Sequence, residues 1–258
     1  MAVALSFGIV APGTSSDAFT HLAELAAWFR ERDLLHLGPR SFETYKELAS
    51  SIREGSSDVA WLGPVSYASL AEGVTPIGSI RRETEAGYSA ALFVKDSSPL
   101  KSIEDLRTTK DLRAGWVDPW SAAGYVVPRL ELARGGILAM NVFAKETFHK
   151  SHTGVLEALA NDEADVVATY ARATREGLTT RTLATWGPIP SDVIAVRRNL
   201  GPREYEAVRE AIETACSDEK GRAAMRALFG GDEIDKVGDG HVRLRLSYES
   251  GVASGLFD

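Results

Sequence analysis

Cysteine is almost missing from this chain: Cys216 stands alone among 258 residues. That excludes an internal disulfide and any CxxC metal or redox site, and on a helical segment the thiol reads as inert core. Long apolar runs are missing too. No stretch of 18 apolar residues occurs, so nothing reads as a membrane-spanning helix. Positive charge is in deficit, with 29 Lys+Arg against 36 Asp+Glu for a net −7 and no basic block. Nucleic acid is therefore not an expected partner, because phosphate-backbone affinity needs clustered cations. The sequence also lacks a GxGxxG after a strand, a GxxxxGK[ST] loop, a GxSxG elbow and an HExxH helix, and with them the cofactor and catalytic signatures they carry. No basic segment or cleavage site accompanies the first apolar run, Val3–Val10. Two locations follow: cytoplasmic if Met1 is the native start, or periplasmic or lipid-anchored outside the inner membrane if a leader was removed.

What is present is the composition of a globular chain, 44% hydrophobic and 25% charged, with ample material for a buried core. Short apolar runs alternate with amphipathic segments, the pattern of α/β layering with parallel strands. Val3–Val10 reads as a strand leaving through Ala11-Pro12-Gly13. Ser16 or Asp17 caps a helix with Phe19, Leu22, Leu25, Ala26 and Phe29 on one face. Leu34–Leu37 reads as a second strand, and a helix follows that ends at Gly55, a C′ residue. Asp58–Leu62 reads as a third strand. Ile77–Arg81 and Tyr88–Lys95 are extended, and Ser102 with Asp105 occupies capping-box positions. Leu112–Val117 is a strand, and Ala122–Arg134 a helix that Pro128 should distort. A helix from His152 to Asn161, a strand Asp165–Thr169, an extended Asp192–Arg197 and a helix Pro202–Cys216 complete the pattern. The tail Val242–Tyr248 alternates weakly and reads as a sheet-edge strand.

Few local constellations suggest chemistry. Asp118-Pro-Trp-Ser-Ala-Ala-Gly-Tyr125 turns from a strand into a helix that opens on small residues. First-turn N–H groups lack intrahelical partners, and the macrodipole adds positive character there. An anionic oxygen can approach such amides, with the Ser121 hydroxyl as a further donor. An ordinary serine N-cap is the plainer alternative. His152 sits at another helix start, either as a donor to an anion or as a surface histidine. Tyr45 and Trp61 admit both core packing and a ligand role, Trp61 because it ends a strand in an open α/β sheet. His149-x-x-His152 lacks a third ligand at metal-binding spacing.

In order, Tyr45-x-x-Leu48, Gly55-x-x-Asp58-Val-Ala-Trp-Leu-Gly-Pro-x-Ser-Tyr67 and Gly87-Tyr88-Ser89 resemble the phosphonate/phosphite-type solute-binding proteins of ABC transporters. The resemblance continues through Ser102-Ile-Glu-Asp-Leu106, Val117-Asp-Pro-x-Ser-x-x-Gly-Tyr125, Ser151-His152 and Gly187-Pro-Ile-Pro-x-Asp192. It implies a two-lobed type II periplasmic-binding-protein fold, each lobe a mostly parallel sheet flanked by helices, closing by hinge motion on a small anion in a cleft between lobes. Lobe one is expected from residues 1–84 plus 193–258, and lobe two from 85–192. The resemblance assigns anion oxygens to Ser121, Ala122, Ala123, Gly124 and His152, cleft lining to Tyr45 and Tyr88, and an amine contact to Asp192.

One departure bears on the ligand. Where the family carries Ser-Thr-Ser-Gly, this chain has Ser121-Ala122-Ala123-Gly124, so two hydroxyl donors are gone. Arg172 falls near the place of a second carboxylate; it reads as a solvated arginine, the alternative being that it faces the cleft and reverses the charge there. The resulting expectation is a monomeric, non-catalytic binding protein that needs no cofactor or metal. It would capture a phosphonate-, phosphite- or phosphate-like anion, with altered preference, for ABC permease subunits. The alternatives are a cytosolic enzyme of the same fold using Asp192, His152 or Asp118 as acid or base, and the ligand-sensing domain of a larger receptor.

Overall fold

A computed structural model describes residues 4–11, 17–70, 72–82 and 88–257. The chain begins β1 (Ala4–Val10), α1 (Asp17–Glu31), β2 (His36–Phe42), α2 (Tyr45–Arg53), β3 (Val59–Leu62), α3 (Pro64–Leu70) and β4 (Val74–Arg82). It continues through β5 (Tyr88–Lys95), a 3-10 turn at Ile103–Arg107, β6 (Leu112–Trp116) and a wide turn at Ala122–Val126 that runs into α4 (Val127–Arg134). Next come α5 (Ala139–Val142), β7 (Phe143–Phe148), α6 (His152–Ala160), β8 (Val166–Tyr170) and β9 (Thr180–Ile189). The last elements are β10 (Val193–Arg197), α7 (Pro202–Ser217), α8 (Glu219–Phe229), β11 (Gly231–Asp235) and α9 (Asp239–Ala253). Among the described residues no helix is long and apolar enough to cross a membrane.

The chain divides into two compact units, Met1–Ala86 with Ser191–His241, and Gly87–Pro190 with Val242–Asp258. In the first unit the described strands form a sheet in the order β11-β4-β10-β3-β1-β2. β1 runs parallel to β2 and β3, whereas β10 runs antiparallel to both β3 and β4. In the second unit the order is β7-β6-β8-β5-β9, with β6 parallel to β7 and β8 and β5 antiparallel to β8 and β9. Both sheets are thus more mixed than the run of apolar segments suggested. Apolar patterning records which strands are buried, not the direction in which they run.

α1 buries Leu22, Leu25, Ala26 and Phe29 as its periodicity required, and Leu22, Leu25 and Phe29 share one core cluster with Phe7 and Ile9 of β1 and Phe229 of α8. Burying one such side chain contributes about 1.5–3 kcal/mol. Gly55 follows α2 with φ +74°, the left-handed C′ residue expected there. A polar lock joins β1 to β3. Asp58 accepts from the Ser6 N–H at 2.9 Å, the Ser6 hydroxyl at 2.8 Å and Arg197 Nε at 2.9 Å. Burial alone would raise the Asp58 carboxyl, but these donors outweigh it and hold it below its usual range.

Several expectations are corrected. The tail is not a strand grouped with the first unit. Residues 242–253 continue α9, burying Leu244 and Gly251 two helical turns apart, and 242–258 belong to the second unit. There Arg129 Nε donates to Leu256 O at 3.0 Å, and the rings of Tyr248 and Phe257 stack at 5.6 Å. The second strand lies at His36–Phe42 rather than Leu34–Leu37, pairing with β1 alone at the sheet margin, where Pro39 is tolerated. α8 and β9 were not anticipated; β9 is a half-exposed edge strand with little apolar alternation. Ala11 is described, but Pro12, Gly13 and Ser16 lie outside the described residues. Cys216 is half-buried, and burial pushes its thiol up to about 11, which keeps it protonated and unreactive at neutral pH.

Candidate functional site

In the second unit, β6 lies between β7 and β8, and the chain leaves it directly into the anion-binding candidate. Asp118 starts a tight turn: its Oδ1 accepts from Trp120 N–H at 2.8 Å and its carbonyl from Ser121 N–H at 2.9 Å. Ser121 then caps the following helix, its Oγ accepting from Gly124 N–H at 3.1 Å. The backbone next makes one turn of π-helix, with Val126 N–H donating to Ser121 O at 3.0 Å. Pro128 explains the widening. It has no N–H to offer the Gly124 carbonyl, which accepts instead from Val117 N–H at 3.1 Å and ties the turn to the end of β6. Such wide turns occur often at functional sites.

Gly124 was expected to offer its amide to the anion; that N–H is committed to Ser121. The remaining first-turn donors are the amides of Ala122 and Ala123, which helix geometry leaves without an intrahelical acceptor. Both alanine side chains are buried. The Ser121 hydroxyl uses a lone pair on Gly124 and keeps its own hydrogen for donation.

His152 opens α6 on the same sheet edge. Ser151 caps that helix, its Oγ accepting from Gly154 N–H at 2.9 Å. His152 Nδ1 lies 2.8 Å from the hydroxyl of fully buried Thr169, and its ring meets Tyr170 edge-on at 5.0 Å. Thr169 was not among the residues singled out in the sequence. Its only signal was position, at the C-terminal end of a buried strand, where open α/β sheets gather ligands. Tyr88 starts β5 opposite Ile189, half-buried; β5 runs against β8, so Tyr88 shares the edge with Thr169. Among the described residues no cluster of three or more His, Cys, Asp or Glu could hold a metal ion.

Tyr45 and Asp192 belong to the first unit. β10 runs against β3, so Asp192, just before β10, comes beside Gly63, just after β3. With Val10, Tyr45 and Trp61 they line a recess of about 80 Å³. A Cβ at Gly63 would stand 3.5 Å from Tyr45 Cε1 and 4.0 Å from Asp192 Oδ1, so glycine keeps the recess open. Trp61, ambiguous in the sequence, lines this recess and packs edge-on against Phe229 at 5.1 Å.

The family described as "ABC transporter, phosphonate, periplasmic substrate-binding protein" matches residues 7–241. The chain belongs to this family. A phosphonates-binding periplasmic protein of Escherichia coli is 27% identical over 196 residues, 71% of this chain; the match spans 58% of that relative's length. Two solved structures share the fold. One is a binding-protein component of an ABC phosphonate transporter from Pseudomonas aeruginosa, with 19% identity, TM-score 0.81 and coverage of 98% of this chain and 89% of that one. The other is a Prochlorococcus marinus protein in complex with methylphosphonate, with 14% identity, TM-score 0.80 and 98% of both chains covered. Among its structural neighbours are also periplasmic sulphonate binders, so the chain has the type II periplasmic-binding fold of this family.

Against that family background two features of the turn stand out. Ala122 and Ala123 place methyl groups at positions where the Ser-Thr-Ser-Gly resemblance calls for hydroxyls. Outside the turn, Arg172 is exposed. The turn also contains a half-buried acid: partial burial raises the Asp118 carboxyl above its ordinary value of 3.8, offset only partly by the Trp120 N–H. Between the ordinary and the raised value the native state holds more protons than the unfolded state. Stability therefore falls as pH rises through that window and is flat above it. Asp118→Asn keeps an oxygen for Trp120 and removes the charge. It is expected to raise Tm at pH 7 by about 1–3 °C and to abolish the decline in melts run from pH 4 to 7. A lower Tm at pH 7 would refute this account of Asp118.

Proposed function

We propose that this chain captures a small phosphorus oxyanion of the phosphonate, phosphite or phosphate class and delivers it to an ABC permease outside the inner membrane. It acts as a monomer and catalyses no reaction. The observation that carries the reading is the capped wide turn, where the Ser121 hydroxyl hydrogen and the Ala122 and Ala123 amides have no acceptor among the described residues, on the same sheet edge as a His152 oriented by Thr169. Membership in a family of periplasmic phosphonate-binding proteins supports the same ligand class. In the first unit, Asp192 with Tyr45 is read as the seat of a cationic ligand group.

Thermal shift tests the reading directly. A ligand at about 100 times its Kd stabilises by roughly 2.7 kcal/mol, or about 5–10 °C for a chain of this size. Phosphonates, phosphite and phosphate at millimolar concentration are expected to produce such shifts, and short carboxylates smaller ones. Shifts from carboxylates alone would overturn the phosphorus assignment. Multiple-turnover conversion of a small organic acid, abolished by Asp192→Ala, would overturn the non-catalytic one.

A further inference from the structure

Two aromatic rings stand open on the sheet edge that carries the anion turn. Phe148 ends β7 and Tyr170 ends β8, and each is 41% exposed. Each touches a different side of the candidate site. The Phe148 ring lies 5.0 Å from that of Tyr125, the residue after Gly124, and the Tyr170 ring lies 5.0 Å from His152. Because β6 is paired with β7 on one side and β8 on the other, the turn leaves β6 between the two strands that end in these residues. A single exposed aromatic needs no explanation. Two of them, at the C-terminal ends of the strands on either side of β6, offer ring faces on which a flat apolar group can stack.

The turn gives a reason for such a seat. With methyl groups at Ala122 and Ala123 it offers few donors, so tight binding has to draw on some other part of the ligand. Tyr170 also has a fixed platform, because the His152 ring against which it packs is held by Thr169 at 2.8 Å. A ring that stacks on Tyr170 would find it ordered before binding, which lowers the cost of immobilising it.

We infer that the ligand of this turn is a phosphonate or phosphate monoester bearing a planar ring, and that Tyr170 and Phe148 select it over its alkyl counterpart. The inference rests on the anion reading above. Calorimetric titration of the whole chain with phenylphosphonate and with methylphosphonate compares ligands that share the headgroup and differ in the ring. Phenylphosphonate is expected to bind at least about tenfold more tightly. Tyr170→Ala, and separately Phe148→Ala, should move the ratio of the two affinities toward one, while Tyr170→Phe should keep it. The comparison on the unmodified protein stands even where a variant fails to fold. Equal or tighter binding of methylphosphonate overturns the ring inference and leaves the anion reading intact. An unchanged ratio in folded Tyr170→Ala and Phe148→Ala overturns the assignment to these two residues. Binding of neither ligand overturns the anion reading, and this inference with it.

Discussion

Restoring the two hydroxyls, Ala122→Thr with Ala123→Ser, is expected to tighten methylphosphonate binding at least tenfold. A hydrogen bond to a charged acceptor contributes about 1.5–3 kcal/mol, and about 1.4 kcal/mol is a factor of ten, so two would exceed tenfold even if one were poorly aligned. The free protein should respond in the opposite direction. Both positions are buried, and a buried hydroxyl without a partner costs on the order of 1–3 kcal/mol. The double variant should therefore melt lower than the parent without ligand and gain more from saturating phosphonate. Calorimetry and paired melts read the two signs separately. A variant with unchanged affinity for every anion would mean that residues 122 and 123 do not face the ligand, and would remove the turn from the binding site.

Much of the fold could be read residue by residue. The face of α1, the left-handed Gly55 and the Ser102–Asp105 cap are local matters, settled within one or two turns of chain; Ser102 N–H does donate to Asp105 Oδ2 at 2.9 Å. Pro128 belongs with them, since its missing N–H predicts a distortion and the wide turn at Ala122–Val126 is that distortion. The unreadable parts depend on partners distant in sequence. The alternation in Val242–Tyr248 satisfies a strand and a helix about equally, and what decides is packing of 244 and 251 in α9. Strand direction in β10 leaves no trace in its apolar run. In the candidate site, Ser121 and His152 were visible because they cap or open helices. Thr169, which orients His152, was not, because its role exists only once β8 is laid beside α6. The same holds for Phe148 and Tyr170, whose significance lies in flanking a turn that belongs to a third strand.

Gly124→Ala is expected to have the largest effect of any single methyl added to this chain's turn. A Cβ there would lie 2.3 Å from Val117 Cγ2, 2.5 Å from Val117 Cβ and 2.8 Å from Ser121 Oγ. Val117 Cβ is fixed to the backbone and no side-chain rotation moves it. Val117 is β-branched and buried, and its own N–H holds the Gly124 carbonyl at 3.1 Å, so relief has to come from moving the backbone of the turn. Overpacking of this kind costs about 1–3 kcal/mol or more. The same movement breaks the Ser121–Gly124 cap and displaces the Ala122 and Ala123 amides. Losing two donors to a charged ligand weakens binding on the order of 100-fold or more. Gly177→Ala supplies the control: Gly177 lies in the same unit at φ +74° with nothing within 4 Å of its would-be Cβ. There the cost is that of the backbone conformation alone, about 1 kcal/mol, with anion affinity unchanged. Denaturant melts and phosphonate titrations of both variants separate strain from site damage. A folded Gly124→Ala protein that binds phosphonate as tightly as the parent would show that the turn does not hold the ligand.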